Sequence, residues 1–196
     1  MSKQIDHVCD LCHKAVVQVH LQIYKGNTLH ICLECNNNLT AELMGLELMP
    51  FQPGIYEFSG IRGKKYNFSI HRKINPIGIV YEANEVTKGD SPGFQIAVMD
   101  YVNCDQQLLF EKLKAKIKKA IFKRYLETST APYGSKVVSI KNREVVGRFE
   151  YDEDHDLPKL VIDGKLFSWE EFGRMLNSSE GFQFQLKIFD ITDDII

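Results

Sequence analysis

The chain has 196 residues, with 24 Lys and Arg against 26 Asp and Glu, 44% apolar side chains and 11% aromatic ones. That apolar share builds a core and excludes a disordered chain, and the length allows one or two domains. No run approaches the roughly 18 apolar residues of a membrane helix, and the first seven residues hold no apolar signal core. The expectation is therefore a cytoplasmic protein without membrane contact.

The net charge of −2 conceals an asymmetry. Residues 150–196 carry twelve acids against four bases, whereas residues 1–149 carry fourteen against twenty. Halves of opposite sign either attract each other within the fold or present separate surfaces to partners. Neither half is basic enough to demand nucleic acid.

The N-terminal stretch holds the sharpest chemical signal, Cys9-Asp10-Leu11-Cys12 and Cys32-Leu33-Glu34-Cys35, with nineteen residues between the pairs. Two residues between thiols let both sulfurs reach one ion at about 2.3 Å, and this spacing matches a four-thiolate zinc site. A disulfide framework would need a secretory context, and a redox pair would need a single C-x-x-C in a βαβ unit. Four thiolates leave no open position, so Zn2+ held by Cys9, Cys12, Cys32 and Cys35 is expected to be structural. His13 and His30 flank the pairs, and either could replace one ligand, although histidines so placed more often lie outside the ligand set.

Val16, Val17, Val19, Leu21 and Ile23 form a β-rich run. Lys25-Gly26-Asn27 signals a turn, and Leu29 and Ile31 continue a return strand. Leu39, Leu43 and Leu46 then share one helical face. Knuckle, hairpin, second knuckle and helix is the order of a treble-clef finger, with the positive end of the helix facing the thiolates. Residues 9–35 resemble the zinc fingers of the bacterial protein-arginine kinase activator and of the Clp unfoldase zinc-binding domain. That resemblance implies a zinc-held module that binds other proteins. Such modules also associate with one another, so a homo-oligomer through the finger is a further expectation.

Met49-Pro50-Phe51-Gln52-Pro53-Gly54 reads as a linker. It separates a finger over 1–48 from an α+β domain over 54–196, itself divided into 54–127 and 143–196. Strands are predicted over 55–61, 66–70, 77–83 and 94–102, an antiparallel meander. A long amphipathic helix is predicted over 105–127, with Leu109, Phe110, Leu113, Ile117, Ala120 and Ile121 on its apolar arc. Lys112, Lys116, Lys119 and Lys123 stand on the remainder. They face water in the simplest reading, and form a nucleic-acid-binding face in the alternative. Residues 128–142 read as a loop.

A strand is expected over 145–151, followed by an acidic run with five acids in the seven residues 150–156. Its spacing matches no calcium loop, and it reads as a solvated hairpin tip. Residues 160–162 form a short strand, and Asp163-Gly164 is a hairpin turn signal. Ser168 and Glu171 make a capping box for a short helix. Phe182, Phe184, Leu186 and Ile188 alternate with polar residues as a final strand, before an acidic tail from Asp190. The stretches 162–165, 168–176 and 180–184 resemble the C-terminal part of a family of uncharacterised bacterial proteins, which implies no activity.

No P-loop, dinucleotide glycine motif or G-x-S-x-G elbow is present. Cys104 is the one unpaired thiol. Glu170 and Glu171 are adjacent and point in different directions, which makes them a poor acid–base pair. The sequence therefore predicts an α+β protein, with a treble-clef zinc finger followed by an antiparallel sheet packed on one long helix. The expected function is a non-enzymatic cytoplasmic adaptor or regulator with a protein partner. Nucleic-acid binding is the alternative, and an enzyme with its site in the α+β domain the second alternative.

Overall fold

The computed structural model describes residues 7–16, 20–24, 26–89, 91–130, 134–153 and 156–195. Val17, Val19 and Lys25, read above as strand and turn, lie outside the described residues. The finger contains β1 (His7–Val8) paired with β2 (Ala15–Val16), the hairpin β3 (His20–Tyr24) with β4 (Asn27–Ile31), and helix α1 (Leu33–Met44). Gly45 closes α1 at φ 63°, its N–H reaching back to the last carbonyls of the helix.

The central sheet has the order β5 (Gly54–Ser59), β6 (Lys65–Asn75), β7 (Gly78–Glu85) and β8 (Gln95–Asp100), antiparallel throughout. Along β6 the side chains of Tyr66, Phe68, Ile70, Arg72 and Ile74 are buried at period two. Helix α2 (Gln106–Phe122) covers one face. Asp105 caps it by accepting from Leu108 N at 2.9 Å. Its buried arc is Leu109, Phe110, Leu113, Ile117, Ala120 and Ile121, the set predicted from the 3.6-residue spacing. These residues share one core with Phe58, Phe68, Ile70, Ile79, Tyr81, Ile96 and Val98. Each fully buried side chain of this size contributes about 1.5–3 kcal/mol of transfer free energy.

Residues 46–55, read as a linker, are held firmly. Leu46 and Phe51 pack on the core, and the Phe51 ring meets Tyr81 at 5.1 Å and Phe110 at 5.4 Å, both edge-on. Buried Arg72 donates to Met49 O at 2.8 Å and Gln106 Oε1 at 3.1 Å, and Gln106 Nε2 donates to Glu47 O at 2.9 Å.

Three expectations are corrected. Helix α2 ends at Phe122 instead of residue 127, because the Asp163 carboxylate accepts from Tyr125 N and Leu126 N and turns the chain into β9 (Leu126–Thr130). The segment read as a loop is a hairpin of β9 with β10 (Lys136–Ile140), joined through residues 131–133, which lie outside the described residues. Its Thr, Ser and Val content favours strands although neither face is strongly apolar. The segment 182–189, read as a strand, has no regular secondary structure and no strand partner among the described residues.

The remaining elements are a sheet of β11 (Gly147–Glu150), β12 (Lys159–Ile162) and β13 (Lys165–Phe167), and helix α3 (Trp169–Leu176). Asp163 and Gly164, at φ 51° and 76°, make the predicted tight turn between β12 and β13. The capping box is present: Glu171 N donates to Ser168 Oγ and Ser168 N donates to Glu171 Oε2. Within the acidic run Asp152 is not solvated, since it is buried and pairs with Lys159 at 2.8 Å. Asp154 and His155 lie outside the described residues.

Candidate metal centre

The first knuckle is a tight turn. His13 N donates to Cys9 O at 2.9 Å, with His13 itself in the left-handed region at φ 58°. Asp10 fastens this turn to β4, since its N–H donates to His30 O at 2.9 Å and its carboxylate accepts from His30 N at 2.6 Å. The second knuckle is the start of α1. Cys32 is the N-cap residue, and its Sγ accepts from Cys35 N at 3.4 Å, the bond a capping serine would make. Cys9 Sγ in turn accepts from Cys32 N at 3.3 Å and Cys12 N at 3.5 Å.

The four sulfurs of Cys9, Cys12, Cys32 and Cys35 all lie within 4.8 Å of one another. Cys12 Sγ and Cys32 Sγ are 3.8 Å apart. A tetrahedron with metal–sulfur bonds of about 2.3 Å has edges of about 3.8 Å. These cysteines could therefore hold a metal ion, and their geometry is consistent with zinc. Cys9 and Cys32 are buried with Ile31 and Leu39, while Cys12 and Cys35 are half-buried against that cluster. Neither His13 nor His30 joins the four sulfurs, and the His30 ring lies beside Asp10 at 3.7 Å.

The electrostatics of the site call for a cation. Burial raises the Cys9 thiol, but N–H groups from Cys12, Cys32 and Leu11 outweigh it and bring Cys9 down to about 6. Burial and the neighbouring thiols push Cys35 well above its usual range, and burial also raises Cys32. The Cys9 thiolate is thus favoured, while Cys32 and Cys35 resist ionising until a positive charge sits among them. Metal loading must then release protons and weaken in acid. We expect the affinity for cobalt or zinc to fall as pH falls, and more steeply below about 6, where loading must also displace a proton from Cys9. The thiolate-to-cobalt absorbance reports this, and loading independent of pH between 5 and 8 would contradict it.

The sequence-predicted lysines do not form a free basic face. Lys112 pairs with Asp194 at 2.8 Å, which holds the Asp194 carboxyl below its usual range. Lys116 Nζ donates to Ala97 O at 3.0 Å, Ile191 O at 3.1 Å and Asp193 O at 2.6 Å. Lys123 pairs with Glu144 at 3.0 Å and lies over the Tyr125 ring. Lys119 is exposed. The acidic tail therefore lies along α2, and the opposite charges of the two halves meet inside the molecule.

A cavity of about 400 Å³ lies between β8, α2, β11 and the tail, remote in sequence from the thiols. Two of its charged groups, Arg148 and Asp163, are engaged with their own chain. Arg148 donates to Gly93 O at 2.8 Å and to Glu150, and Asp163 accepts the two N–H groups that start β9. Cys104 packs half-buried against the core, and burial raises its thiol.

One residue that sequence reasoning missed is Asn37, on α1 and buried. Its Nδ2 donates to Arg72 O at 2.7 Å and its Oδ1 accepts from Ile74 N at 3.0 Å. Strand β5 pairs with β6 only as far as Ile70. Beyond that point the Asn37 amide stands in for the missing strand. The available signal was the run Asn36-Asn37-Asn38, three poor helix formers inside a helix.

Among the described residues no helix is long and apolar enough to cross a membrane. Three stretches match models of domains of unknown function: residues 8–47 (DUF7685), 49–122 (DUF7686) and 125–193 (DUF7713). No curated protein and no solved structure matches the chain. The likeness is thus to three adjoining domains, each spanning less than half of the chain and none carrying a known activity.

Proposed function

We propose that this chain is a zinc-held adaptor or regulator of the cytoplasm that docks a protein partner through its finger. The observation that carries the reading is the thiol site together with the hairpin built on it. Leu21 and Ile23 stand two residues apart on β3, so they share one face, and they are 68% and 77% exposed. Val8, Leu11 and Leu43 add further exposed apolar side chains to the same finger. Four sulfur ligands would close the metal's coordination, which suits a scaffold and leaves no position for substrate. The engagement of Lys112, Lys116 and Lys123 within the chain favours a protein partner over nucleic acid.

The test is recovery of partners from the native cell with the full chain, against a variant carrying Leu21→Asp and Ile23→Asp. Loss of one central apolar contact of about 1.4 kcal/mol already costs tenfold in affinity. We expect the variant to recover its partner at least that much more weakly while keeping its metal content and circular dichroism. Equal recovery would refute the docking face.

A further inference from the structure

The segment between α3 and the acidic tail is an alternating apolar stretch that pairs with no strand among the described residues. Phe182, Phe184, Leu186 and Ile188 repeat at period two and are 57%, 92%, 66% and 72% exposed. Residues 183, 185 and 187 between them are exposed as well, so neither face of the segment is covered. An extended chain with an apolar face and free backbone groups is a template for strand pairing.

Both ends of the segment are anchored to the body of its own chain. At the start, the Arg143 guanidinium lies 5.0 Å from the centre of the Phe182 ring. At the end, the tail is pinned to α2 through Lys116 to Ile191 O and Asp193 O, and through Lys112 to Asp194. Asp190 accepts from Thr192 and its N–H donates to Asp193, which closes a local turn at the anchor. The chain between these points is therefore fixed at both ends. Ordering it for a partner costs less than ordering a free coil.

The sequence of the segment is complementary to itself. Antiparallel pairing of two copies about Gln185 sets Phe184 against Leu186, Phe182 against Ile188 and Gln183 against Lys187. Every apolar residue meets an apolar residue on one face, and no like charges meet within residues 182–188. A two-fold axis through such a pair makes an isologous interface, in which one surface serves both copies.

We propose that two copies of this chain associate through residues 182–188, paired antiparallel across a two-fold axis at Gln185. The finger is not part of this contact, so it stays available to a different partner. The test uses the full, metal-loaded chain. Sedimentation equilibrium at high micromolar concentration is expected to show a dimer. Replacing Phe184 and Leu186 together by aspartate sets like charges against each other across the axis. That variant is expected to sediment as a monomer with unchanged circular dichroism and metal content.

A second arm reads the register. In a Cys104→Ser background, Gln185→Cys places two thiols opposite each other at the axis and is expected to give a covalent dimer under mild oxidation. Gln183→Cys places them four residues apart along the ribbon and is expected not to. A monomeric parent chain, a dimer that survives the double aspartate change, or equal cross-linking at 183 and 185 would each overturn the proposal.

Discussion

Cys32→Ser is expected to abolish metal loading and dissolve the finger while the central sheet and α2 stay folded. Cys32 supplies one of the four converging sulfurs, and serine keeps its other task, the N-cap bond from Cys35 N, so the substitution removes the sulfur alone. Structural zinc in small fingers is worth about 10–16 kcal/mol at neutral pH, and that free energy is also the folding free energy of the module. The local core is too small to replace it. Cys9, Ile31, Cys32 and Leu39 are the buried members of that cluster, and two of them are candidate ligands. The sheet has its own core of Phe68, Tyr81, Leu113 and Ile117 with their neighbours, which does not depend on the sulfurs. Hydrogen exchange should show β3, β4 and α1 losing protection while β7 and α2 keep theirs. Elemental analysis of the same sample should fall from one metal ion per chain to a small fraction. Stoichiometric metal in the variant would sink the assignment.

The second large effect is expected from Asn37→Ala. The substitution leaves the carbonyl of Arg72 and the N–H of Ile74 without partners where β5 no longer covers β6. Each buried group so orphaned costs about 1–3 kcal/mol. For a chain of this length each kcal/mol lowers Tm by about 2–4 °C. Asn38→Ala, one position along the same helix on its exposed side, is the control and should lie within about 0.5 kcal/mol of the parent. Alanine is the better helix former, so propensity alone would stabilise both variants, and equal destabilisation by the two changes would refute the amide contact as the cause.

The features legible in the sequence were those whose cause is local. The thiol pairs, the arc of α2, the Asp163-Gly164 turn and the Ser168 capping box each depend on residues within about one turn or one knuckle of each other. What stayed hidden depends on distant partners. The β9–β10 hairpin has no strong apolar face, so its pattern resembled a loop. The early end of α2 follows from Asp163, which lies nearly forty residues further along the chain. The Asn37 contact crosses 35 residues to Arg72, and no spacing rule reaches that far. The alternation over 182–188 pointed to a strand, but the segment forms none among the described residues, because an alternating pattern does not supply the partner a strand needs. Charge asymmetry fared better, since the acidic tail does meet the basic helix, through Lys112 and Lys116.

One helix joins two regions that look separate in the sequence. The first turn of α1 supplies sulfurs, and its second turn braces the open flank of β6. A metal ion held at one end of this short rod would therefore tighten the other. By thermodynamic reciprocity, a better-formed sheet would in turn raise the finger's grip on such an ion. A chelator would then be felt as a softening of strand β6, far from any sulfur, and a partner clasping the sheet would slow the ion's escape.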